Sequence, residues 1–166
     1  MPPSPQQPQQ PQFDAPQPQF GAPAPGVPAP ARTGNAGLAV VAGIVVALVV
    51  AGVYGAILKA TDGASIGYAG LIVGALVGAT VGKLGGRNAA LPVISAVLGL
   101  VAFYLGQLFG MALIFSDVAH ASLGTVVFQH IDVVNTLWKE YLGPIDALFY
   151  VLAAVGGFST TKKTAG

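Results

Sequence analysis

The sequence predicts an all-helical membrane protein with four transmembrane helices, an interfacial amphipathic helix and a disordered N-terminal tail. The first observation behind this prediction is that only 8% of the residues are charged, whereas soluble domains carry roughly 25%. The second is that long apolar stretches contain no charge, or one at their end, and about 20 such residues in a helix cross a hydrocarbon core of about 30 Å. The predicted spans cover residues 38–58, 66–84, 91–115 and 141–161.

The N-terminal segment, residues 1–36, has the composition of a disordered tail. Its first 30 residues hold 11 of the 13 prolines of the chain, interleaved with glutamine and then alanine. Proline removes backbone donors, and the segment has too little apolar surface to offset the entropy lost on ordering. We therefore predict polyproline II character. The tail would be either a docking strip for a proline-recognising partner or a solubilising segment without a dedicated ligand.

The first apolar run follows this tail and is predicted to be an uncleaved span. Arg32 is the only basic residue among the first 58, so the positive region that begins a secretory signal is missing. The run is also longer than the 7–15 apolar residues that are usual in such a signal.

Basic residues near the ends of the spans predict that both termini face the cytoplasm. Short cytoplasmic loops carry an excess of lysine and arginine. With four spans, the side of the termini holds Arg32, Lys83, Arg87, Lys162 and Lys163, and the other side holds Lys59 and Lys139. We therefore expect a multi-pass protein of the cell membrane, with residues 37–161 as the membrane domain and residues 162–166 as a short C-terminal tail.

The fourth span is the shortest apolar run and contains a carboxylate. Pro144–Phe158 has 15 residues, and the span reaches 21 when it is extended to residues 141–161. Pro144 suits a first helical turn, because the N–H that proline lacks has no helical partner there. Asp146 lies near the outer end, where we expect it to reach the headgroups, since a carboxylate at the bilayer centre costs about 2.5–3.5 kcal/mol.

The segment between the third and fourth spans, about residues 118–140, has the pattern of an amphipathic helix. Apolar residues recur at gaps of three and four, and Trp138 and Tyr141 are aromatic residues of the kind that favours the membrane interface. We predict a helix that lies on the outer membrane surface. The alternative is a fifth span, which would place His130 and Asp132 near mid-membrane and move the C-terminal lysines outside.

Small residues recur at every fourth position in three of the spans and form a shallow groove along each helix. Close backbone approach drives helix association in lipid, so these positions are predicted to be helix-packing sites. The partner of the groove in the second span is either another span of this chain or a second copy in a homo-oligomer. Leu71 and Val77 are predicted to face lipid instead. The candidate packing residues are Gly43, Gly55, Gly70, Gly74, Gly78, Gly82, Gly106 and Gly110.

Residues that carry chemistry are sparse, and the sequence predicts no enzyme. The chain has no cysteine, which excludes disulfides, thiolate metal sites and cysteine nucleophiles. His120 and His130 are ten positions apart, about 80° off a common helix face, and are too few for a metal site. A net charge of +1 gives no case for nucleic acid, which needs a basic face. We expect no catalytic, metal or cofactor site, and Gln107 is the candidate intramembrane polar contact.

Two stretches of the chain have features that recur together in other membrane proteins. Gly67–Gln107 combines a glycine-rich span, a short basic turn and a span that ends in a Leu-Gly pair, and Gly143–Phe158, GPIDALFYVLAAVGGF, opens with Pro-Ile-Asp. In these features, and in its Pro/Gln-rich tail, the chain resembles a loose group of uncharacterised small bacterial membrane proteins of the actinobacterial type. The resemblance implies a multi-span helical protein and no catalytic residues.

These observations predict a membrane-anchored structural or accessory subunit. Its expected partners are the lipid bilayer and either further copies of itself or another membrane protein. The alternative is a small transporter or channel component in which Gln107 and the glycine faces line a path. A cavity on which polar residues from several spans converge would favour the alternative, and a dry, glycine-packed interior would favour the structural role.

Overall fold

The computed structural model of the protein describes residues 34–64 and 68–165, and helices are the only regular secondary structure in these segments. Residues 1–33 of the predicted disordered tail lie outside the described residues, and so do residues 66 and 67 at the start of the predicted second span. The helices are α1 (Ala36–Ala60), α2 (Ala69–Gly85), α3 (Leu91–Val118), α4 (Leu123–Gln129), α5 (Ile131–Tyr141) and α6 (Pro144–Thr164).

Three of these helices are long and apolar enough to cross a membrane: α1 with 25 residues, α3 with 28 and α6 with 21. The prediction of an all-helical chain with membrane-crossing helices is confirmed to this extent. Helix α2 is apolar as well but has only 17 residues, about 25 Å at a rise of about 1.5 Å per residue.

Local sequence signals explain where several helices begin. The Asn35 side chain accepts a hydrogen bond from the backbone N–H of Leu38 at 3.0 Å and thereby caps α1. Pro144 occupies the first turn of α6, where its fixed φ suits the helix and its missing N–H has no role. The carboxylate of Asp146 accepts a hydrogen bond from the N–H of Gly143 at 2.8 Å, so the entry into α6 is fixed by the Pro-Ile-Asp sequence.

Helices α3 and α6 extend beyond the predicted spans at their C-terminal ends. Helix α3 continues to Val118, past the predicted end at residue 115, and α6 continues to Thr164. Lys162 and Lys163 therefore lie in the last turn of α6 rather than in a separate tail. Positive side chains interact favourably with the unpaired carbonyl groups at a helix C-terminus, so the helix does not need to end where the apolar run ends.

The predicted continuous helix over residues 118–140 is instead two short helices, α4 and α5, which meet at His130. Val126 in α4 and Val134 in α5 are both fully buried against α3. Eight positions in one straight helix correspond to about 80° of rotation, which keeps two side chains on one apolar face. The apolar periodicity therefore continues across the break at His130.

Helices α1, α2, α3 and α6 form a bundle of two parallel pairs. In the first pair, α1 with α3, Gly55 lies against Gly106 and Gly110, and Leu58 lies against Gly110. In the second pair, α2 with α6, contacts advance from Gly70 to Gly82 as they advance from Phe149 to Thr161. The two pairs run in opposite directions, because α3 meets α6 with residue numbers rising in one helix and falling in the other.

Helix α2 is enclosed by α1, α3 and α6 and exposes only one face. Val77, which we predicted to face lipid, is fully buried, whereas Leu71 is 40% exposed. The prediction for Val77 was wrong because it assumed that glycines occupy the whole packed surface of α2. Val73, Val77 and Val81 form a second buried face that packs into the core with α1 and α3.

Candidate functional site

The predicted packing glycines of α2 lie directly against the backbone of α6. A Cβ atom would overlap a backbone carbonyl group of α6 at three of these positions, and at Gly82 it would lie 2.7 Å from the carbonyl oxygen of Thr161. The α2 face that we considered for self-association is therefore covered by α6 of the same chain. The three overlapping pairs are Gly70 with Phe149, Gly74 with Ala153 and Gly78 with Gly157.

The predicted glycines of α1 and α3 are also buried, but they mainly accommodate side chains. A Cβ at Gly55 would lie 2.6 Å from a ring carbon of Phe109 and 2.9 Å from the carbonyl oxygen of Gly106. At the other positions the nearest atom belongs to a side chain: Val81 at Gly43, Tyr54 at Gly106 and Leu58 at Gly110.

Two fully buried hydroxyl groups tie α3, α6 and α2 together near the end of the bundle that holds the C-terminus. Ser95 Oγ and Thr161 Oγ1 are 2.6 Å apart. The Ser95 hydroxyl also lies 3.0 Å from the Gly157 carbonyl oxygen, and Thr161 Oγ1 lies 3.0 Å from the Gly78 carbonyl oxygen. These carbonyls are within reach because the missing side chains at Gly78 and Gly157 bring the helix backbones close together.

Gln107 is a meeting point of three helices and is only 6% exposed. Its Oε1 atom accepts a hydrogen bond from Trp138 Nε1 of α5 at 2.9 Å and another from the Tyr150 hydroxyl of α6 at 2.6 Å. Tyr104, one turn earlier in α3, packs edge-on against the Trp138 ring with 4.9 Å between centroids. Trp138 is thus held on α3 by a hydrogen bond and a ring contact, although we predicted an interfacial role for it.

A small cleft opens beside Gln107, toward the end of the bundle opposite the C-terminus. Its volume is about 60 Å³, and its lining includes Gln107, Met111, Trp138, Tyr141 and Asp146. We name it the outer cleft. Asp146 is only 9% exposed, which contradicts the expectation that this carboxylate reaches the headgroups. It stays inside because it caps the N-terminus of α6.

Stacked aromatic rings fill the bundle below the outer cleft. The ring of Phe103 is fully buried and lies between Tyr54 and Tyr150, with 5.1 Å between centroids on each side. Beyond the rings, α3 and α2 approach each other closely at glycines. A Cβ atom at Gly99 of α3 would lie 3.1 Å from the Cα atom of Gly74 in α2.

The two ends of the bundle differ in the sign of their charged side chains. The end with the C-terminus carries Lys83, Arg87, Lys162 and Lys163 at or after the ends of α2 and α6. The opposite end carries Lys59 and Lys139 together with the carboxylates Asp62, Asp117, Glu140 and Asp146. Lys59 is paired there with Asp117 at 2.8 Å.

The histidines do not assemble a metal site. His120 and His130 are both exposed, and residues 34–64 and 68–165 contain no group of three or more His, Cys, Asp or Glu side chains that could hold a metal ion. His130 instead marks the break between α4 and α5, and His120 has a positive φ of 50° in the turn after α3.

Two residues of this region were missed by the sequence reasoning. Thr161 was included only as an end residue of the fourth span, yet its hydroxyl contacts α2 and α3. A threonine four positions after Gly157, on the small-residue face of α6, is the signal that could have identified it. Asp146 was treated as an exposed carboxylate, although its position in the first turn after proline is typical of a residue that caps a helix.

No protein-family model matches the chain, and no curated protein or solved structure matches it. Its function therefore has to be inferred from the contacts and charges of the chain itself.

Proposed function

We propose that the chain is a four-span protein of the cell membrane that serves as a structural or accessory subunit rather than an enzyme, with both termini in the cytoplasm. The observation that carries this proposal is the packing of α2 on α6 through backbone atoms. Such contact leaves no room for substrate or water between these helices. It is the arrangement expected of a helical bundle that is stabilised by dispersion contacts in lipid.

The surroundings of α2 support its assignment as the second span. Its one open face exposes large apolar side chains, among them Ile72 and Leu76. Exposing this apolar face to water would cost free energy, whereas exposing it to lipid would not. Helix α2 also lies lengthwise on α6, a helix that is long enough to cross the membrane. A helix slightly shorter than the hydrocarbon core is accommodated at a modest cost by local thinning of the bilayer.

The direction of α6 supports four spans rather than five. In a four-span protein the second and fourth spans run in the same direction, and α6 runs parallel to α2. A fifth span formed by α4 and α5 would reverse α6 and make it antiparallel to α2. With four spans, the two termini lie on one side, and the excess of lysine and arginine at that end supports a cytoplasmic location for both.

The topology can be tested with single cysteines, because the natural chain contains none. We predict that Ser122→Cys, an exposed position at the start of α4, reacts with a membrane-impermeant thiol reagent in intact cells. Ser4→Cys and Ala165→Cys should react only after permeabilisation, since both termini are cytoplasmic. Labelling of Ala165→Cys but not Ser4→Cys in intact cells would contradict four spans and support five.

The transport alternative is favoured by one feature, the convergence of Gln107, Trp138 and Tyr150. We expect no path, because Phe103 and its neighbouring rings fill the interior below. Proteoliposomes that contain the purified chain should therefore lose potassium and protons no faster than protein-free liposomes of the same lipid, measured with a potassium electrode and an entrapped pH dye. A flux that rises with the amount of protein would overturn the structural role.

A further inference from the structure

We propose that the outer cleft binds a small organic cation, specifically a primary alkylammonium group, through Asp146. This inference goes beyond the proposed function and does not rest on it. It follows from a buried carboxylate without a cationic partner, an aromatic and apolar lining, the size of the cavity and the charge around it.

Asp146 supplies the negative charge. Its Oδ2 atom accepts the Gly143 N–H, and no basic side chain pairs with this carboxylate among the described residues. A carboxylate that is only 9% exposed keeps a charge that the surrounding protein does not neutralise, and a bound cation would supply the counter-charge. Lys59 does not fill this role, because its ammonium group is paired with Asp117.

The rest of the lining fits a cation that carries a hydrocarbon chain. Trp138 and Tyr141 are aromatic residues, whose faces attract cations, and Leu58, Met111 and Ile114 offer apolar contacts. The Gln107 carbonyl oxygen is already shared by Trp138 and Tyr150, which fixes the Trp138 ring at the edge of the cleft. A ligand with one charged end and a short apolar body would match both parts of this lining.

The volume limits the ligand to a few heavy atoms. A cavity of about 60 Å³ has room for about four to six water-sized groups, which corresponds to a short alkylammonium ion. A bare metal ion is a poorer occupant, because the described residues hold no cluster of three ligating side chains and a metal site needs several.

The surrounding charge favours cations over anions. Three further carboxylates lie at this end of the bundle against two lysines, and a cleft bordered mainly by one sign of charge raises the local concentration of ions of the opposite sign. The three are Asp62, Asp117 and Glu140.

Trp138 is the only tryptophan of the chain and lines the cleft, so its fluorescence reports on binding. The full chain in detergent micelles is titrated with n-butylammonium chloride, which has five heavy atoms. We expect a saturable change in Trp138 emission with a midpoint in roughly the millimolar range, as suits a ligand of this size. 1-Butanol lacks the charged head and sodium chloride lacks the alkyl chain, so neither should give a saturable change.

Asp146→Asn is the decisive variant. Asparagine removes the charge but can still accept the Gly143 N–H, and we expect its affinity for butylammonium to fall about tenfold or more, as loss of a charged hydrogen-bond partner would cause. Asp132→Asn removes an equal charge from the exposed surface of α5 and should keep the wild-type affinity. Equal affinity of Asp146→Asn and wild type would overturn the proposal, and so would an equal loss in both variants.

The titrations of the wild-type chain test the proposed cation binding even if Asp146→Asn does not fold, which circular dichroism would reveal. A response to 1-butanol as large as the response to butylammonium would mean that the cleft recognises only the alkyl chain, and this result would overturn the proposal. Selectivity for butylammonium over both 1-butanol and sodium would support it.

Discussion

The two parallel helix pairs of the bundle use the same spacing of small residues but achieve contact in different ways. In the α2–α6 pair, glycine faces backbone, and an added Cβ would overlap carbonyl groups of α6. In the α1–α3 pair, glycine mainly faces the side chains of Phe109, Tyr54 and Leu58. The difference shows that a four-residue repeat of small residues indicates where helices meet but not how closely their backbones approach.

This difference determines which pair can adapt. A side chain can change its rotamer to make room for a methyl group, whereas a helix backbone can move only as a unit and then loses contacts along its whole length. The α2–α6 interface should therefore tolerate substitution less well than the α1–α3 interface, although both contain small residues at every fourth position of at least one helix.

The largest expected effect is that of Gly74→Ala. Its Cβ would overlap the Ala153 carbonyl oxygen, so α2 and α6 must separate, and we expect the free energy of unfolding to fall by about 2–3 kcal/mol. Titration with SDS in mixed micelles, followed by Trp138 fluorescence, measures this change. Gly52→Ala in α1 is the matched control, because its Cβ would meet no atom within 4 Å, and it should leave stability unchanged or slightly raised.

Gly55→Ala should have a smaller effect than Gly74→Ala. Its Cβ would meet a ring carbon of Phe109 at 2.6 Å, and the ring can rotate away, although the Gly106 carbonyl oxygen at 2.9 Å limits the relief. We expect a loss of about 1 kcal/mol in the same SDS titration. If Gly55→Ala destabilises the protein as much as Gly74→Ala, the distinction between side-chain and backbone contact has no energetic meaning here.

The same contrast explains how much of the fold was accessible from the sequence. Runs of apolar residues predicted α1, α3 and α6 well, because membrane-crossing length is a property of each helix alone. The partner of the α2 glycines could not be predicted, because a groove of small residues fits any helix that presents a similar groove. Ala153 and Gly157, together with the backbone of Phe149, provide one on α6, but they are almost 80 positions away in the chain.

The remaining errors have the same origin. Val77 was predicted to face lipid and Asp146 to reach the headgroups by considering one helix at a time, whereas their burial depends on which neighbours enclose them. The break at His130 was missed because the apolar periodicity continues across it: Val126 and Val134 are eight positions apart, on one helix face, and both are buried against α3. The outer cleft could not be predicted at all, since α1, α3, α5 and α6 each contribute to its lining.

The smallest expected effects on stability are those of removing one polar contact between the helices of each pair, α2–α6 and α1–α3. Thr161→Val keeps the shape of the side chain but removes the hydroxyl that lies 3.0 Å from the Gly78 carbonyl oxygen, and an interhelical hydrogen bond in lipid contributes about 0.6 kcal/mol on average. Asp117→Asn removes the ion pair with Lys59 between α1 and α3, but these side chains are 63% and 40% exposed, so water screens them and the loss should be the smaller of the two. Raising the salt concentration should reduce the effect of Asp117→Asn and leave that of Thr161→Val unchanged.

A larger effect of Asp117→Asn than of Thr161→Val in the SDS titration would mean that the bundle is stabilised mainly at its water-facing end. The close backbone approach of α2 and α6 would then be a consequence of the fold rather than its support.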